Sequence, residues 1–199
     1  GNGGSTTTAL PFTTSCAYSI SQQIYTFEDV EQTGNITGIA FQYKSGASGT
    51  RSIDVYMKHS NIETFATVTS WESMTNEYKV YSGDIVISGT ADEWVGVTFT
   101  TPFAYTGGNF VLCVYDHTNS TLGGTTFHAD DVSGKSLCYY SSMFPAPLDP
   151  SNVNKNGYMF NYRNNIKLSF AEGGQEPVTP TVPAAPQNLV ATANETTIT

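Results

Sequence analysis

Apolar and polar residues alternate with a period of two along several short segments of the chain, and turn residues separate these segments. This pattern is typical of antiparallel sheets with one buried face. Residues 51–59 show it most clearly, after a turn over residues 45–49. The side chains predicted to point inward are Ile53, Val55 and Met57. Those predicted to face outward are Asp54, Tyr56 and Lys58.

Further segments extend the strand pattern to residue 170. Residues 80–88 are predicted to be buried on both sides, and residues 94–100 form a strand that Pro102 is expected to end. Residues 109–115 are the most apolar and predict a central strand with a partly covered outer face. The remaining predicted strands are residues 124–129, 135–140, 157–162 and 166–170. About ten strands predict an all-β fold, a two-sheet antiparallel β-sandwich of the jelly-roll kind.

One helix signal stands out from the strands. Thr26 precedes Glu28 and Asp29, so its hydroxyl can cap a single turn that runs through Glu31. Residues 62–71 are rich in Thr and Val, which favours an irregular loop there.

The composition changes after residue 170. Residues 171–184 are rich in proline and predict an extended linker, which bounds a sandwich domain over residues 1–170. Residues 185–199 regain strand alternation and predict the truncated start of a second domain, because so few residues cannot bury a core.

The net charge of −9 limits the classes of partner. An acidic surface repels phosphate backbones and anionic lipids, so we expect no nucleic-acid binding. No apolar stretch approaches the roughly 20 residues of a membrane helix, so we expect no membrane insertion. Three cysteines leave room for one internal disulfide. Cys113 lies in an apolar run and is predicted to be a buried hydrophobe, and a Cys16–Cys138 bridge stays open.

Several ordered segments carry a family resemblance. Residues 21–26, 36–41, 51–59, 94–117 and 165–168 resemble a recurring sandwich module of secreted Bacteroidetes surface proteins. The tail, through Pro186, Asn188, Leu189 and residues 197–199, resembles the opening of a fibronectin type III domain. The resemblance implies a secreted or cell-surface location and covalently linked neighbouring domains. No catalytic motif accompanies it.

Motifs of catalytic chemistry are absent from the sequence. Gly-x-Ser-x-Gly, HExxH and phosphate-loop patterns do not occur. We therefore predict that the chain is not an enzyme, with a hydrolase as a distant alternative.

Polar residues after two predicted strands suggest a metal site. Asp116, Asn119, Asp130 and Asp131 offer hard oxygen ligands of the kind that Ca²⁺ prefers, and His117 and His128 would suit a transition metal. Asp and Asn after strands more often bond to backbone N–H groups in turns, and we favour that role. We therefore expect no cofactor, and Ca²⁺ is the alternative.

Aromatic residues supply the sharper hypothesis, because sugar rings stack their C–H faces on exposed aromatic side chains. The candidates are Trp71, Tyr139, Tyr140, Phe144, Tyr158 and Tyr162. Packing within the core is the competing explanation for each of them, and Trp94 is assigned to the core edge. We expect an extracellular binding or adhesion module for a glycan or protein ligand. A structural spacer that presents neighbouring domains is the alternative.

Overall fold

The computed structural model describes residues 6–142 and 148–172 and confirms the all-β prediction. The predicted linker beyond residue 172, the second domain and Phe144 lie outside the described residues. The strands are β1 (Thr6–Thr8), β2 (Tyr18–Tyr25), β3 (Gly34–Gly46), β4 (Gly49–Ser60), β5 (Lys79–Ile87), β6 (Trp94–Tyr105), β7 (Asn109–Asp116), β8 (Thr125–Ser141), β9 (Tyr158–Asn164) and β10 (Ile166–Phe170). A helix, α1 (Phe27–Val30), follows β2, and a 3₁₀ turn at Asn76–Tyr78 precedes β5.

The strands pair antiparallel in two connected layers. The large layer has the order β5-β4-β7-β2-β8-β9, and β1 also pairs with β8. The small layer has the order β6-β3-β10. The last residues of β3 cross over and pair with the first residues of β8, which joins the layers into a curled, sandwich-like sheet.

The main core fills the space between the two layers. Ile53, Val55 and Met57 of β4 point into it, as their alternation predicts. Phe41 from the small layer and Leu112 from the large layer meet them there, and both are fully buried. Strand alternation therefore fixes the inner face correctly.

A second core lies on the opposite face of the large layer, where the prediction for β4 was wrong. Asp54 and Tyr56 are buried rather than solvent-facing, and Lys58 is partly buried. Residues 61–78 fold back over this face and bring Phe65 and Met74 against it. The same cover confirms that β7 is a central strand with a covered outer face, because Val111, Cys113 and Tyr115 pack into the second core.

The side chain of Gln22 fastens residues 61–78, which we call the covering segment, to the sheet. Its amide donates to the backbone carbonyl of Glu72 at 2.7 Å and accepts from the Glu72 N–H at 2.8 Å. Lys58 adds an ion pair with the Glu72 carboxylate at 2.7 Å. The buried glutamine thus reproduces the two hydrogen bonds of a strand neighbour.

Two strand predictions need correction at the edges of the layers. Residues 80–88 were predicted to be buried on both sides, but β5 is an edge strand and Val86 is 65% exposed. Pro102 does not end β6, which runs on to Tyr105. Residues 99–102 fall within a register shift between the pairs Gly38–Thr98 and Ile36–Phe103, so the missing proline N–H breaks no ladder bond there.

Strand β8 unites two segments that were predicted to be separate. Residues 124–129 and 135–140 belong to one strand of 17 residues, with a register shift between Asp131 and Ser136 against β9. The turn residues between the two segments form a bulge within the strand. The pattern of apolar and polar residues does not distinguish such a bulge from a loop.

The helix forms where Thr26 predicts it. The Thr26 N–H donates to Asp29 Oδ2 at 2.7 Å, and Glu31 takes a left-handed conformation with φ of 60° that ends the turn. Arg163 of β9 donates to both Asp29 oxygens at 2.6 and 2.7 Å, which ties the helix to the sheet. Over residues 6–142 and 148–172, no helix has the length and apolar character needed to cross a membrane.

Candidate functional site

A row of aromatic side chains lies on one face of the layer edge formed by β8 and β9. Tyr158, Phe160 and Tyr162 alternate along β9, and the rings of Phe160 and Tyr162 lie 5.2 Å apart. Tyr140 of β8 stacks on Tyr158 with a centroid distance of 5.1 Å and an interplanar angle of 18°. We call these four residues the aromatic row.

Strand geometry explains how the row forms. Side chains two positions apart share a face, so the three β9 rings cover about 13 Å of strand. Tyr158 pairs with Cys138 and Phe160 with Ser136, which places the ring-bearing face on the same side as those two small residues. Because β9 pairs only with β8 in the described part of the chain, the edge stays accessible, and Tyr158 is 52% exposed.

Polar groups border the row at the Tyr162 end. Asp131 is the cross-strand partner of Tyr162, and its carboxylate accepts a hydrogen bond from the Thr6 hydroxyl at 2.9 Å. At the other end, burial raises the pKa of Tyr140 above its usual range, with a further contribution from neighbouring tyrosines. The Tyr140 hydroxyl is therefore protonated at neutral pH and can donate a hydrogen bond.

The structure gathers three of the six predicted ligand-binding residues and separates two others. Tyr140, Tyr158 and Tyr162 belong to the row. Tyr139 follows the alternation of β8 to the opposite face and packs against the second core. Phe160 was missed, although its position midway between Tyr158 and Tyr162 carries the period-two signal that finds it.

Trp71 is a structural residue of the covering segment. Its ring packs against the second core, and its Nε1–H donates to the Lys155 carbonyl at 2.8 Å. A Cβ at Gly157 would lie 2.7 Å from the Trp71 ring and 2.8 Å from Leu137, so glycine makes room for the indole. Trp71 therefore does not join the aromatic row.

The carboxylate of Asp116, predicted as a calcium ligand, is engaged within the protein. It is fully buried, and Arg51 Nε donates to Oδ2 at 2.7 Å. Oδ1 accepts from both the N–H and the hydroxyl of Thr118, at 3.0 and 2.6 Å. This is the turn-stabilising role that aspartate commonly takes after a strand.

The other predicted metal ligands do not converge on Asp116. Asp130 and Asp131 pair with Arg163 and Tyr162 on β9, and Asn119 lies in the loop after β7 with its N–H bonded to Ala17. Throughout residues 6–142 and 148–172, no three His, Cys, Asp or Glu side chains come together in a group that could hold a metal ion.

The two histidines of the transition-metal alternative point to different carboxylates. His117 Nε2 lies 3.5 Å from Asp54, and His128 Nε2 lies 2.7 Å from Asp92. Each histidine therefore has a separate acidic neighbour.

All three cysteines are free and buried. Burial raises the pKa of the Cys138 thiol to about 12 and raises that of Cys113 further, so both stay protonated at neutral pH. Cys113 lies in the second core as a small apolar residue, the environment predicted for it.

Comparison of the chain with models of protein families, with curated proteins and with solved structures gives no match. The resemblances drawn from the sequence stay predictions, and the site must be interpreted from its own geometry.

Proposed function

We propose that this chain is a non-catalytic binding module of a larger extracellular surface protein, and that the aromatic row binds a glycan. The observation that carries the proposal is the arrangement of four rings on one accessible strand edge. Aromatic side chains supply much of the free energy that burial gives to a protein core. Rings that stay at the surface do not gain that free energy, which favours a binding role for them.

The chemistry of the row favours a neutral oligosaccharide. Ring faces can contact the C–H groups of a pyranose, and tyrosine hydroxyls can exchange hydrogen bonds with sugar hydroxyls. Asp131 at the end of the row supplies a carboxylate acceptor and would repel an anionic sugar. A length of about 13 Å suits an extended chain of several sugar units better than one monosaccharide.

A glycan array followed by calorimetric titration of each hit tests the proposal. Tyr158→Ala removes the most exposed ring and should weaken binding at least tenfold, because it deletes one ring of the stacked Tyr140–Tyr158 pair. Phe27→Ala is the matched control, since Phe27 is 40% exposed on α1 and outside the row. The control should bind like the parent chain.

Three outcomes would contradict the proposal. Equal losses in Tyr158→Ala and Phe27→Ala would mean that the row is not the site. Absence of binding to every glycan at millimolar concentration would favour the spacer function. Release of new reducing ends from a bound glycan would indicate a hydrolase instead.

A further inference from the structure

The outer face of the small layer carries a groove of about 350 Å³, whereas the aromatic row lies on the large layer. Its lining includes Trp94, Gly96 and Thr98 of β6, Ala40 of β3, and Lys167 and Ser169 of β10. We call it the Trp94 groove. The sequence placed Trp94 at the core edge, but the side chain is 39% exposed.

Small residues on closely packed strands form the floor of the groove. Ala40 pairs with Gly96 on one side and with Lys167 on the other. A Cβ at Gly96 would lie 2.6 Å from the Ala40 Cβ and 2.4 Å from the Ile39 carbonyl oxygen, so a side chain has no room there. The strands of Trp94 and Lys167 are thus two spacings apart, about 10 Å, with a shallow floor between them.

The charge of the groove is opposite to that of the molecule. Lys167 is exposed and has no ion pair with any described residue, although the chain carries a net charge of −9. The acidic residues beside Trp94 are engaged elsewhere: Asp92 binds Lys44 and His128, and Glu93 accepts from the Ser88 hydroxyl. The ammonium group therefore faces the groove without a competing carboxylate among its lining residues.

We infer that the Trp94 groove is a second carbohydrate site and that it takes an acidic sugar, a uronate. The indole of Trp94 offers a stacking face for the pyranose ring, and Lys167 offers a cation for the carboxylate. The hydroxyls of Thr98 and Ser169 lie on the same face and can bond to the sugar hydroxyls. This site goes beyond the aromatic row, because it lies on the other layer and selects the opposite ligand charge.

Calorimetric titration with polygalacturonate, alginate and hyaluronate tests the inference, each beside its carboxyl-reduced counterpart. We expect at least one of the three to bind, and reduction of its carboxylates to weaken binding about tenfold. Lys167→Gln should cause a similar loss with the native polymer and little change with the reduced one. Lys155→Gln is the charge-matched control and should change neither.

The variants also separate this site from the aromatic row. Trp94→Ala should abolish binding of the acidic polymer, with its fold checked by circular dichroism, and Tyr158→Ala should leave that binding intact. If none of the three polymers binds, or if Lys167→Gln binds like the parent chain, the inference is wrong. Loss of uronate binding in Tyr158→Ala but not in Trp94→Ala would assign the ligand to the aromatic row. That result would also overturn the inference.

Discussion

Arg51 makes the most deeply buried ion pair among the described residues, and it joins three parts of the chain. Besides the Asp116 carboxylate, its guanidinium donates to the carbonyls of Ser120 at 2.7 Å and Cys16 at 3.0 Å. Both side chains of the pair are at most 1% exposed. The planar donor set of arginine suits this role, because it reaches several acceptors with one charge.

Replacing Arg51 with Met should lower the free energy of unfolding by about 3–5 kcal/mol, since it leaves the Asp116 carboxylate buried and unpaired. Urea denaturation followed by tryptophan fluorescence measures the loss. Lys44→Met is the control, because the Lys44–Asp92 pair is exposed and should contribute less than about 1 kcal/mol. Equal losses of unfolding free energy in Arg51→Met and Lys44→Met would contradict the claim that burial makes the Arg51–Asp116 pair the more important one.

The pair of Asp29 with Arg163 predicts a dependence of stability on acid pH. Burial alone would raise the pKa of Asp29, but hydrogen bonds from Arg163 and the Thr26 N–H lower it below its usual range. A carboxyl whose folded pKa is depressed stabilises the fold above its unfolded pKa of about 4, and this contribution is lost as the pH falls through the folded value.

Asp29→Asn should therefore lower the free energy of unfolding by about 2 kcal/mol at pH 7. It should also flatten the loss of stability below about pH 4, which denaturation curves measured from pH 7 down to pH 2 will show. Glu63→Gln on the exposed loop is the control and should keep the parent profile. Parallel pH profiles for Asp29→Asn and the parent chain would be inconsistent with this role of the pair.

At the scale of elements, alternation predicts the inner face of β4 well because that face meets a continuous apolar layer. The same alternation cannot reveal that residues 61–78 return over the outer face. Their few apolar side chains, such as Phe65 and Met74, are spread among polar ones without strand or helix periodicity. The buried state of Tyr56 therefore depends on contacts between distant parts of the chain that no local pattern carries.

The covering segment provides a prediction of its own. Trp71→Ala should lower the free energy of unfolding by about 2–4 kcal/mol, because it removes a large ring and leaves a cavity beside Gly157, where the indole packs. Thermal unfolding followed by circular dichroism measures the effect. Val86→Ala on the exposed side of β5 should stay within about 1 kcal/mol of the parent chain. A neutral Trp71→Ala would instead return Trp71 to the list of ligand-binding candidates.

At the scale of the whole molecule, the two cores share β4 and β7, whose alternate residues enter one core or the other. Neither core can be lost without exposing the back of the same strands. We expect one cooperative unfolding transition, with coincident near- and far-ultraviolet circular dichroism curves, and Trp71→Ala should shift both together. Two separated transitions would show that the cover unfolds independently.

The sequence names three of the four residues of the aromatic row, all but Phe160, but it does not determine the face on which each ring lies. Tyr158 and Tyr162 follow from the period of β9, but consecutive tyrosines at 139 and 140 must face opposite ways, and the pattern does not say which one joins the row. Trp94 shows the same limit, because its exposure depends on the small neighbours Gly96 and Ala40 across the strand ladder.

Gln22 has a consequence for how this fold can diversify. Its amide recognises only the peptide group of residue 72 and ignores the side chain there. Exposed side chains of the segment over the second core can therefore change without loss of these two hydrogen bonds. Main-chain bonds from Gln22 and the buried side chains of Phe65 and Met74 together hold this segment, so new surface chemistry on this face does not require rebuilding the strands beneath it.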